Sequence, residues 1–274
     1  MSPALSRFLW RLGAAFTALA VAGCASRTAW VPAAAWPTPL ASTPPADVLL
    51  FGEQHDAPDH QRLQRDTVQW LAARGQLAAL VLEMAEQGRS TAGLPRDASE
   101  AQVQAALQWP DAAWPWSAYG PVAMAAVRAG VPVLGGNLPR SAMAAALQDT
   151  RWDSHLAASA RQQLLDALQQ GHCGLLPAAR LPAMARIQIA RDASLARTAQ
   201  EAVRPGQTVL LVAGGEHVLR DRGIPTHWPR NLTSKVVSAL TDQSQDATNS
   251  GVDIIVTTPP LPPHDACAAL RPPG

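Results

Sequence analysis

The chain has 274 residues, of which 22 are Lys or Arg and 21 are Asp or Glu, so its net charge is +1. A charge this close to zero does not favour nucleic-acid binding through bulk electrostatics, and we expect no nucleic-acid partner. The length and a hydrophobic fraction of 47% suit one large domain with a substantial core.

The first 23 residues have the layout of a secretory signal peptide. Arg7 and Arg11 form a basic region, and residues 12–21 form an apolar stretch that is too short to span a membrane. Cys24 directly follows small residues, which resembles the lipobox of bacterial lipoproteins and predicts cleavage before Cys24 and acylation of that cysteine. Ala25, rather than an aspartate, follows Cys24, which among bacterial lipoproteins favours the outer membrane over the inner membrane. We therefore expect a lipid-anchored protein of the bacterial envelope, on the periplasmic face of the outer membrane.

The rest of the chain is consistent with this exported location in two respects, a tether and a disulfide. Residues 24–46 are rich in Ala, Pro, Ser and Thr, which predicts a tether that leads to one domain over residues 47–274. With Cys24 acylated, Cys173 and Cys267 have one possible pairing in an oxidising compartment. The sequence therefore predicts a disulfide between the helical region and the C-terminal tail, with two unrelated thiols as the alternative.

Apolar runs alternate with helical patterns along the domain. The runs predict strands at residues 47–51, 77–82, 131–134, 208–212, 235–240 and 252–257. Helical patterns begin after Asp56 and cover residues 99–108, 121–129 and 139–147. This alternation predicts an α/β fold with a largely parallel central sheet flanked by helices. Residues 153–203 carry no strand signal and predict a helical insertion that forms a cap or a dimer arm.

Polar side chains follow four of the predicted strands. They are Glu53, His55, Glu83, Asn137 and His217. Ligand sites in open parallel sheets form beyond the carboxyl ends of the strands. Because separate strand ends supply carboxylates, an amide and imidazoles to the same edge, we predict a site there rather than solvated turns and helix caps.

The order of these motifs resembles a known family. The segments are Gly52-Glu53-Gln54-His55-Asp56, Glu83-Met84, Trp116 with Tyr119 and Pro121, Asn137-Leu138-Pro139-Arg140 and Gly214-Gly215-Glu216-His217. They resemble the ChaN-like haem-binding uptake lipoproteins, which are related to the Tiki and erythromycin-esterase proteins. The resemblance spans residues 47–240. It implies an exported lipoprotein that binds haem for haem or iron uptake or storage, with an outer-membrane haem receptor or uptake system as its partner.

The resemblance also implies a homodimer that encloses ferric haem, with a tyrosine on the iron and a histidine of the other subunit near the propionates. Tyr119 is the only tyrosine of the chain and is the predicted iron ligand, since a phenolate suits ferric haem. A packing role, with the hydroxyl on a backbone carbonyl, is the alternative. His172 is the predicted propionate or second-subunit contact. Candidates for the haem pocket are Trp114, Trp116 and Met124, although a Trp-rich loop is often ordinary core packing.

The strand-end residues leave an enzymatic alternative open. In the hydrolytic relatives, such side chains serve metal-dependent peptide cleavage or base-assisted ester hydrolysis. Here Glu53, His55, Glu83 and His217 would hold a divalent metal, or one histidine would act as a general base. No HExxH or CxxC motif is present, so the sequence does not specify a metal site. A structural envelope lipoprotein without a ligand is a third alternative, which leaves the strand-end cluster unexplained.

Overall fold

The computed structural model describes residues 28–241, 251–263, 265, 267 and 268. Within this part of the chain, seven strands form one sheet in which every neighbouring pair is parallel. The strands are β1 (Ala29–Pro32), β2 (Val48–Glu53), β3 (Leu77–Glu86), β4 (Val133–Asn137), β5 (Thr208–Gly214), β6 (Ser234–Leu240) and β7 (Ile254–Thr257). Their order across the sheet is β1-β7-β6-β2-β5-β3-β4, which confirms the predicted α/β class with a parallel sheet.

Helices cover both faces of this sheet. The α-helices of the described chain are α1 (Pro58–Ala72), α2 (Glu100–Leu107), α3 (Trp116–Arg128), α4 (Arg140–Gln148), α5 (Ala158–Gly171) and α6 (Leu181–Ala202). Leu63 of α1 and Val122 of α3 belong to the core on one face, and Leu195 and Ala199 of α6 to the core on the other. Strands buried on both faces read as continuous apolar runs, which is why β2, β3 and β5 stand out in the sequence. Within the described residues, no helix is long and apolar enough to cross a membrane.

Helix starts agree with the sequence where a cap is present. Ser99 caps α2, and its hydroxyl and the Gln102 side chain form a reciprocal capping box, as the predicted helix from Ser99 requires. By contrast, α3 begins at Trp116, five residues before the predicted start at Pro121. The Trp116 ring packs on Gly120, where a Cβ atom would lie 2.6 Å from the indole. The Trp116 N–H, the first of the helix, donates a 2.7 Å hydrogen bond to Asp111 Oδ1, which stabilises a start earlier than the first-turn preference of proline suggests.

The segment predicted as a tether belongs to the fold from residue 29 onward. β1 pairs with β7 at one edge of the sheet. Trp36 is buried, and its Nε1 donates a hydrogen bond of 2.8 Å to Thr67 Oγ1 on α1. A four-residue edge strand followed by 3-10 turns has too little periodicity to be found in an Ala- and Pro-rich sequence. Cys24 and the predicted signal peptide lie outside the described residues.

The insertion between β4 and β5 is helical, as predicted, but only part of it stands beside the sheet. The second half of α6 packs on the sheet, whereas its first half packs against α5 around Leu164, Leu168 and Ile189. We call residues 156–190 the cap. Cys173, which follows α5, forms the predicted disulfide with Cys267. The bond fixes Cys267 to the turn that follows α5 within the cap.

Candidate functional site

Glu53 ends β2 and is a buried carboxylate held by four side chains. Its Oε1 accepts hydrogen bonds from the Tyr119 hydroxyl at 2.6 Å and from His55 Nδ1 at 2.9 Å. Its Oε2 accepts hydrogen bonds from Gln61 Nε2 at 3.0 Å and from Gln64 Nε2. Both oxygens therefore have two donors each, and this network joins the end of β2 to α1 and α3.

His217 follows β5 and lies between two carboxylates. Its Nδ1 is 2.6 Å from Asp192 Oδ1, and its Nε2 is 3.5 Å from Glu83 Oε1. Burial lowers the pKa of His217, but the charges of Glu83 and Asp192 together outweigh burial and raise that pKa to about 9. Burial raises the pKa of the Asp192 carboxyl to about 6, and the imidazolium offsets only part of this rise. At neutral pH the site therefore holds an imidazolium between two carboxylates.

Gly214 lies between the two hydrogen-bonded networks, the one around Glu53 and the one around His217. Glu83 Oε2 accepts a 2.8 Å hydrogen bond from the Gly214 backbone N–H. A Cβ atom at Gly214 would lie 3.0 Å from His55 Nε2, so glycine permits this close approach. Burial raises the pKa of Glu83, but the charges of His217 and His55 bring it below its usual range. Burial likewise lowers the pKa of His55, whereas its bond to Glu53 and the charge of Glu83 raise it overall.

Asn137, at the end of β4, is the last predicted strand-end residue, and it lies beside Glu83. Its Nδ2 donates a 2.9 Å hydrogen bond to the backbone oxygen of Glu83. Its Oδ1 is buried and has no hydrogen-bond partner within the described part of the chain. The structure thus brings the predicted strand-end residues together at one edge of the sheet, because the parallel strands β2, β3, β4 and β5 all end there.

Two open pockets lie beside this cluster. The cap pocket has a volume of about 370 Å³ and lies between the cap and the ends of β2 and β5. Its lining includes Glu53, His55, Asp192 and His217, together with Leu164, Ala167, Leu168, His172, Gln188 and Arg222. The Trp114 pocket has a volume of about 450 Å³, and its lining includes Glu83, Trp114, Asn137 and Arg191. The cluster therefore contributes side chains to both pockets.

Tyr119 lies in the core and not at a pocket wall. Its side chain is 1% exposed, and its hydroxyl donates to the Glu53 carboxylate rather than to a backbone carbonyl. Burial and the charge of Glu53 raise the pKa of the phenol above its usual value. A phenolate ligand needs an accessible oxygen, so iron ligation would require the hydroxyl to leave Glu53 and lose its proton. Ligation of iron by Tyr119 stays a prediction.

The predicted haem-pocket residues divide between a pocket and the core. Trp114 lines the Trp114 pocket, with its ring edge-on to His55 at a centroid distance of 4.7 Å. Trp116 is buried, and its Nε1 donates a 2.8 Å hydrogen bond to Glu100 Oε2. Met124 is also buried in the core that covers the α1 and α3 face of the sheet. The placement of Trp116 and Met124 does not support a pocket role, because a helix that starts at Trp116 turns both side chains into the core.

The geometry separates the two enzymatic alternatives. His217 has a carboxylate at each ring nitrogen, and their charges raise its pKa to about 9, which favours the protonated ring over the neutral one that binds a metal. No group of three or more His, Cys, Asp or Glu that could hold a metal ion occurs within the described residues. His55 differs, because Glu53 orients its ring and its side chain is 38% exposed. Such a pair is the arrangement that a general base uses, so the geometry fits the base-assisted alternative better than the metal-dependent one.

Sequence reasoning missed Asp192 and Gln64, which hold His217 and Glu53. Each carries a signal in the sequence. Asp192 lies three residues before Leu195 and seven before Ala199, so it is an acid on the apolar face of α6. Gln64 lies seven residues before Leu71 on the buried face of α1 and is itself fully buried. A polar residue on an apolar helix face predicts a buried partner, which here is the strand-end cluster.

Comparisons with known proteins agree with this architecture. A family model for haem-binding uptake proteins of the Tiki superfamily, ChaN, matches residues 40–228. The chain is also similar to a solved structure of ChaN from Campylobacter jejuni, described as cofacial heme binding. The TM-score is 0.61 at 23% identity, over 75% of this chain and 86% of that chain. The structure of the type III effector HopBA1 is similar with a TM-score of 0.45 at 14% identity, over 78% and 88% of the two chains. No curated protein matches the chain.

The likeness to the Campylobacter jejuni structure confirms the fold. At 23% identity it supports no conclusion about function. The family model is stronger evidence, because its match begins before β2 and ends at Trp228, so it spans β2 to β5 and His217. It covers well over half of the 274 residues. The chain therefore belongs to the ChaN family of haem-binding uptake proteins in the Tiki superfamily.

Proposed function

We propose that this protein binds haem in the cap pocket and serves haem or iron uptake or storage. The family match over residues 40–228 carries the proposal, because that family is described as haem-binding uptake proteins. The ChaN structure from Campylobacter jejuni, which shares the fold, is described as binding heme cofacially. Haem is therefore the first ligand to test against the cap pocket.

The chemistry of the cap pocket fits the two parts of a haem molecule. Leu164, Ala167 and Leu168 supply an apolar wall for the porphyrin. Arg222 lines the same pocket, and its guanidinium is suited to a propionate. That guanidinium now pairs with Glu216 at 3.1 Å, an exposed carboxylate that a propionate can replace. The volume of about 370 Å³ falls in the range of roughly 300–1,000 Å³ that ligand pockets occupy.

We place a second copy of the chain over the open side of the pocket when haem is bound. A flat apolar ligand in an open pocket leaves one face in water, which is unfavourable until another surface covers it. Leu175, three residues after His172, is an exposed large hydrophobic residue and would be available to such a surface. The bound haem is ferric in this proposal, and His172 contacts it.

The proposed location is the periplasmic face of the outer membrane, with the lipid on Cys24 as the anchor. An outer-membrane haem receptor or uptake system is the proposed partner. The disulfide between Cys173 and Cys267 supports export, because disulfides persist in oxidising compartments. We expect Cys24→Ala in the full chain to lose labelled palmitate and to move from the membrane to the soluble fraction. Cys173→Ala is the matched control, since it breaks the disulfide but keeps the label. Label retained by Cys24→Ala would rule out lipidation at Cys24.

Haemin titration of the purified full chain in detergent tests the function. We expect a saturable Soret band and thermal stabilisation by haemin. Ala167→Trp, which fills the cap pocket, should weaken haemin binding by at least tenfold, or about 1.4 kcal/mol. Ala193→Trp is the control, because it also replaces an alanine with tryptophan, but on α6 and in a different pocket. Equal weakening by both variants would move the site away from the cap pocket, and no binding by the wild type would remove the proposal.

A further inference from the structure

The Trp114 pocket is separate from the cap pocket, although both lie at the same edge of the sheet. The two pockets share no lining residue. Trp114 lines one and His55 the other, and their rings are in edge-on contact at a centroid distance of 4.7 Å. The ends of β3 and β4 contribute to the Trp114 pocket, which is where ligand sites of parallel sheets form. Its volume of about 450 Å³ is sufficient for a small molecule, so it is a candidate for a second ligand.

The lining of the Trp114 pocket includes three arginines whose charges are unpaired. They are Arg89, Arg140 and Arg191. None of their guanidiniums has a hydrogen-bond or ion-pair partner within the described part of the chain. The two carboxylates of the lining already have partners. Glu83 accepts a hydrogen bond from the Gly214 N–H and lies beside His217, and Glu86 accepts one of 3.1 Å from the backbone N–H of Arg140. The pocket therefore has an excess of positive charge, which favours an anionic ligand.

Two buried polar atoms of lining residues lack a partner. Asn137 Oδ1 and Arg191 Nε have no hydrogen-bond partner among the described residues. Both side chains lie around Glu83, since Asn137 Nδ2 donates to its backbone oxygen at 2.9 Å and the charge of Arg191 acts on its carboxylate. The Asn137 oxygen is an acceptor that requires a donor, and the Arg191 N–H is a donor that requires an acceptor. A carboxylate with an N–H or O–H group beside it complements both atoms, and pairing buried polar atoms is favourable.

Much of the rest of the pocket wall is apolar. Its apolar members are Leu107, Pro110, Ala113, Trp114, Leu138 and Met143. The apolar part of a ligand is stabilised when it leaves water for such a surface, whereas an inorganic anion makes no use of it. The guanidinium of Arg191 also matches a carboxylate through two parallel N–H···O bonds. The lining therefore fits an organic carboxylate better than an inorganic ion.

We propose that the Trp114 pocket binds a small apolar carboxylate that has an N–H or O–H donor beside its carboxylate group. Arg191 pairs with the carboxylate, the donor group meets Asn137 Oδ1, and the apolar part packs on Trp114. N-acylated amino acids have this combination of groups. The site is independent of haem, which we place in the cap pocket.

Calorimetric titration of the purified full chain in detergent with N-acetyl-leucine tests the site. We expect saturable binding to one site. N-acetyl-leucinamide lacks the negative charge and 4-methylpentanoate lacks the N–H group, so each should bind roughly tenfold more weakly. Inorganic phosphate should not compete. Equal binding of N-acetyl-leucine and its amide, or displacement by phosphate, would overturn the inference. These comparisons use the wild type, so they do not depend on the folding of any variant.

A pair of arginine variants locates the site. Arg191→Gln should bind N-acetyl-leucine roughly tenfold more weakly and should no longer distinguish it from N-acetyl-leucinamide. Arg197→Gln is the matched control, because it removes the same charge from α6 at an exposed position outside the Trp114 pocket. It should bind N-acetyl-leucine as the wild type does. Equal weakening by both variants would show a general effect of charge and would overturn the assignment to Arg191.

Titration of the haemin-loaded chain separates this inference from the proposed function. N-acetyl-leucine should bind the loaded chain and the free chain equally, because the two pockets share no lining residue. Weaker binding to the loaded chain would place haem in the Trp114 pocket and overturn the second site. A chain that binds N-acetyl-leucine but no haemin would contradict the proposed function alone. A chain that binds haemin but no N-acetyl-leucine would contradict the inference alone.

Discussion

Replacing Glu53 with alanine is expected to lower the free energy of unfolding by about 4 kcal/mol, within the ~3–5 kcal/mol that breaking a buried charged network costs. The reason is the number of donors that lose their acceptor. The hydroxyl of Tyr119 and the amides of Gln61 and Gln64 all donate to this carboxylate, and all three residues are buried. A buried donor without a partner costs about 1–3 kcal/mol. Urea unfolding should show a lower midpoint with an unchanged slope.

Two variants control the Glu53 experiment. Glu216→Ala removes a carboxylate that is 54% exposed and paired with Arg222, so its cost should stay within about 0.5 kcal/mol. Tyr119→Phe removes one donor and keeps the carboxylate, and combined with Glu53→Ala it should cost less than the sum of the two single changes. Additive costs would show that Tyr119 and Glu53 do not act together. A Glu53→Ala variant as stable as Glu216→Ala would contradict the buried network altogether.

The fold was predictable where buried strands require continuous runs of apolar residues in the sequence. β2, β3 and β5 are buried on both faces, so their apolar runs identify them and their parallel pairing. β1 was missed because it is an edge strand of four residues, three of which are exposed. The start of α3 was missed because the side chain that accepts from its first N–H, Asp111, lies five residues before Trp116 and not at the usual N-cap position.

The location of the candidate site was predictable from the sequence, but the hydrogen-bond partners of its residues were not. Residues at strand ends must gather at one edge of a parallel sheet, so Glu53, Glu83 and His217 could be grouped from their order alone. Which helix supplies their partners depends on how each helix is rotated against the sheet, and the sequence does not state that rotation. Asp192 and the burial of Tyr119 depend on it. The sequence could therefore name the only tyrosine but not show that its hydroxyl is already used.

The pairing of His217 with two carboxylates predicts that the protein loses stability as the pH rises from 6.5 to 9. The pKa of His217 is raised from 6.5 to about 9 in the folded state. A raised histidine pKa contributes stability in full below the unfolded value of 6.5, and that contribution is lost as the pH passes the folded value. The shift corresponds to a loss on the order of 3 kcal/mol in the free energy of unfolding. Urea midpoints measured across this range should fall steadily.

The His217→Asn variant isolates this effect. It should lose most of the decline between pH 6.5 and 9, while slopes from other groups remain in both proteins. In the wild type the carboxyl pKa of Asp192 is raised from 3.8 to about 6, so the loss of stability from its own titration lies below that window. His217→Asn also removes the imidazolium that lowers this pKa, so any slope left in the variant includes the titration of Asp192. His60 and His227 have pKa values lowered to about 4 and also titrate outside it. Parallel profiles for the wild type and His217→Asn would mean that His217 is neutral, and its lone pair would then return to consideration as a metal ligand or base. An imidazolium with a pKa near 9 would instead assign His217 to holding Glu83 and Asp192 in place beside the cap pocket.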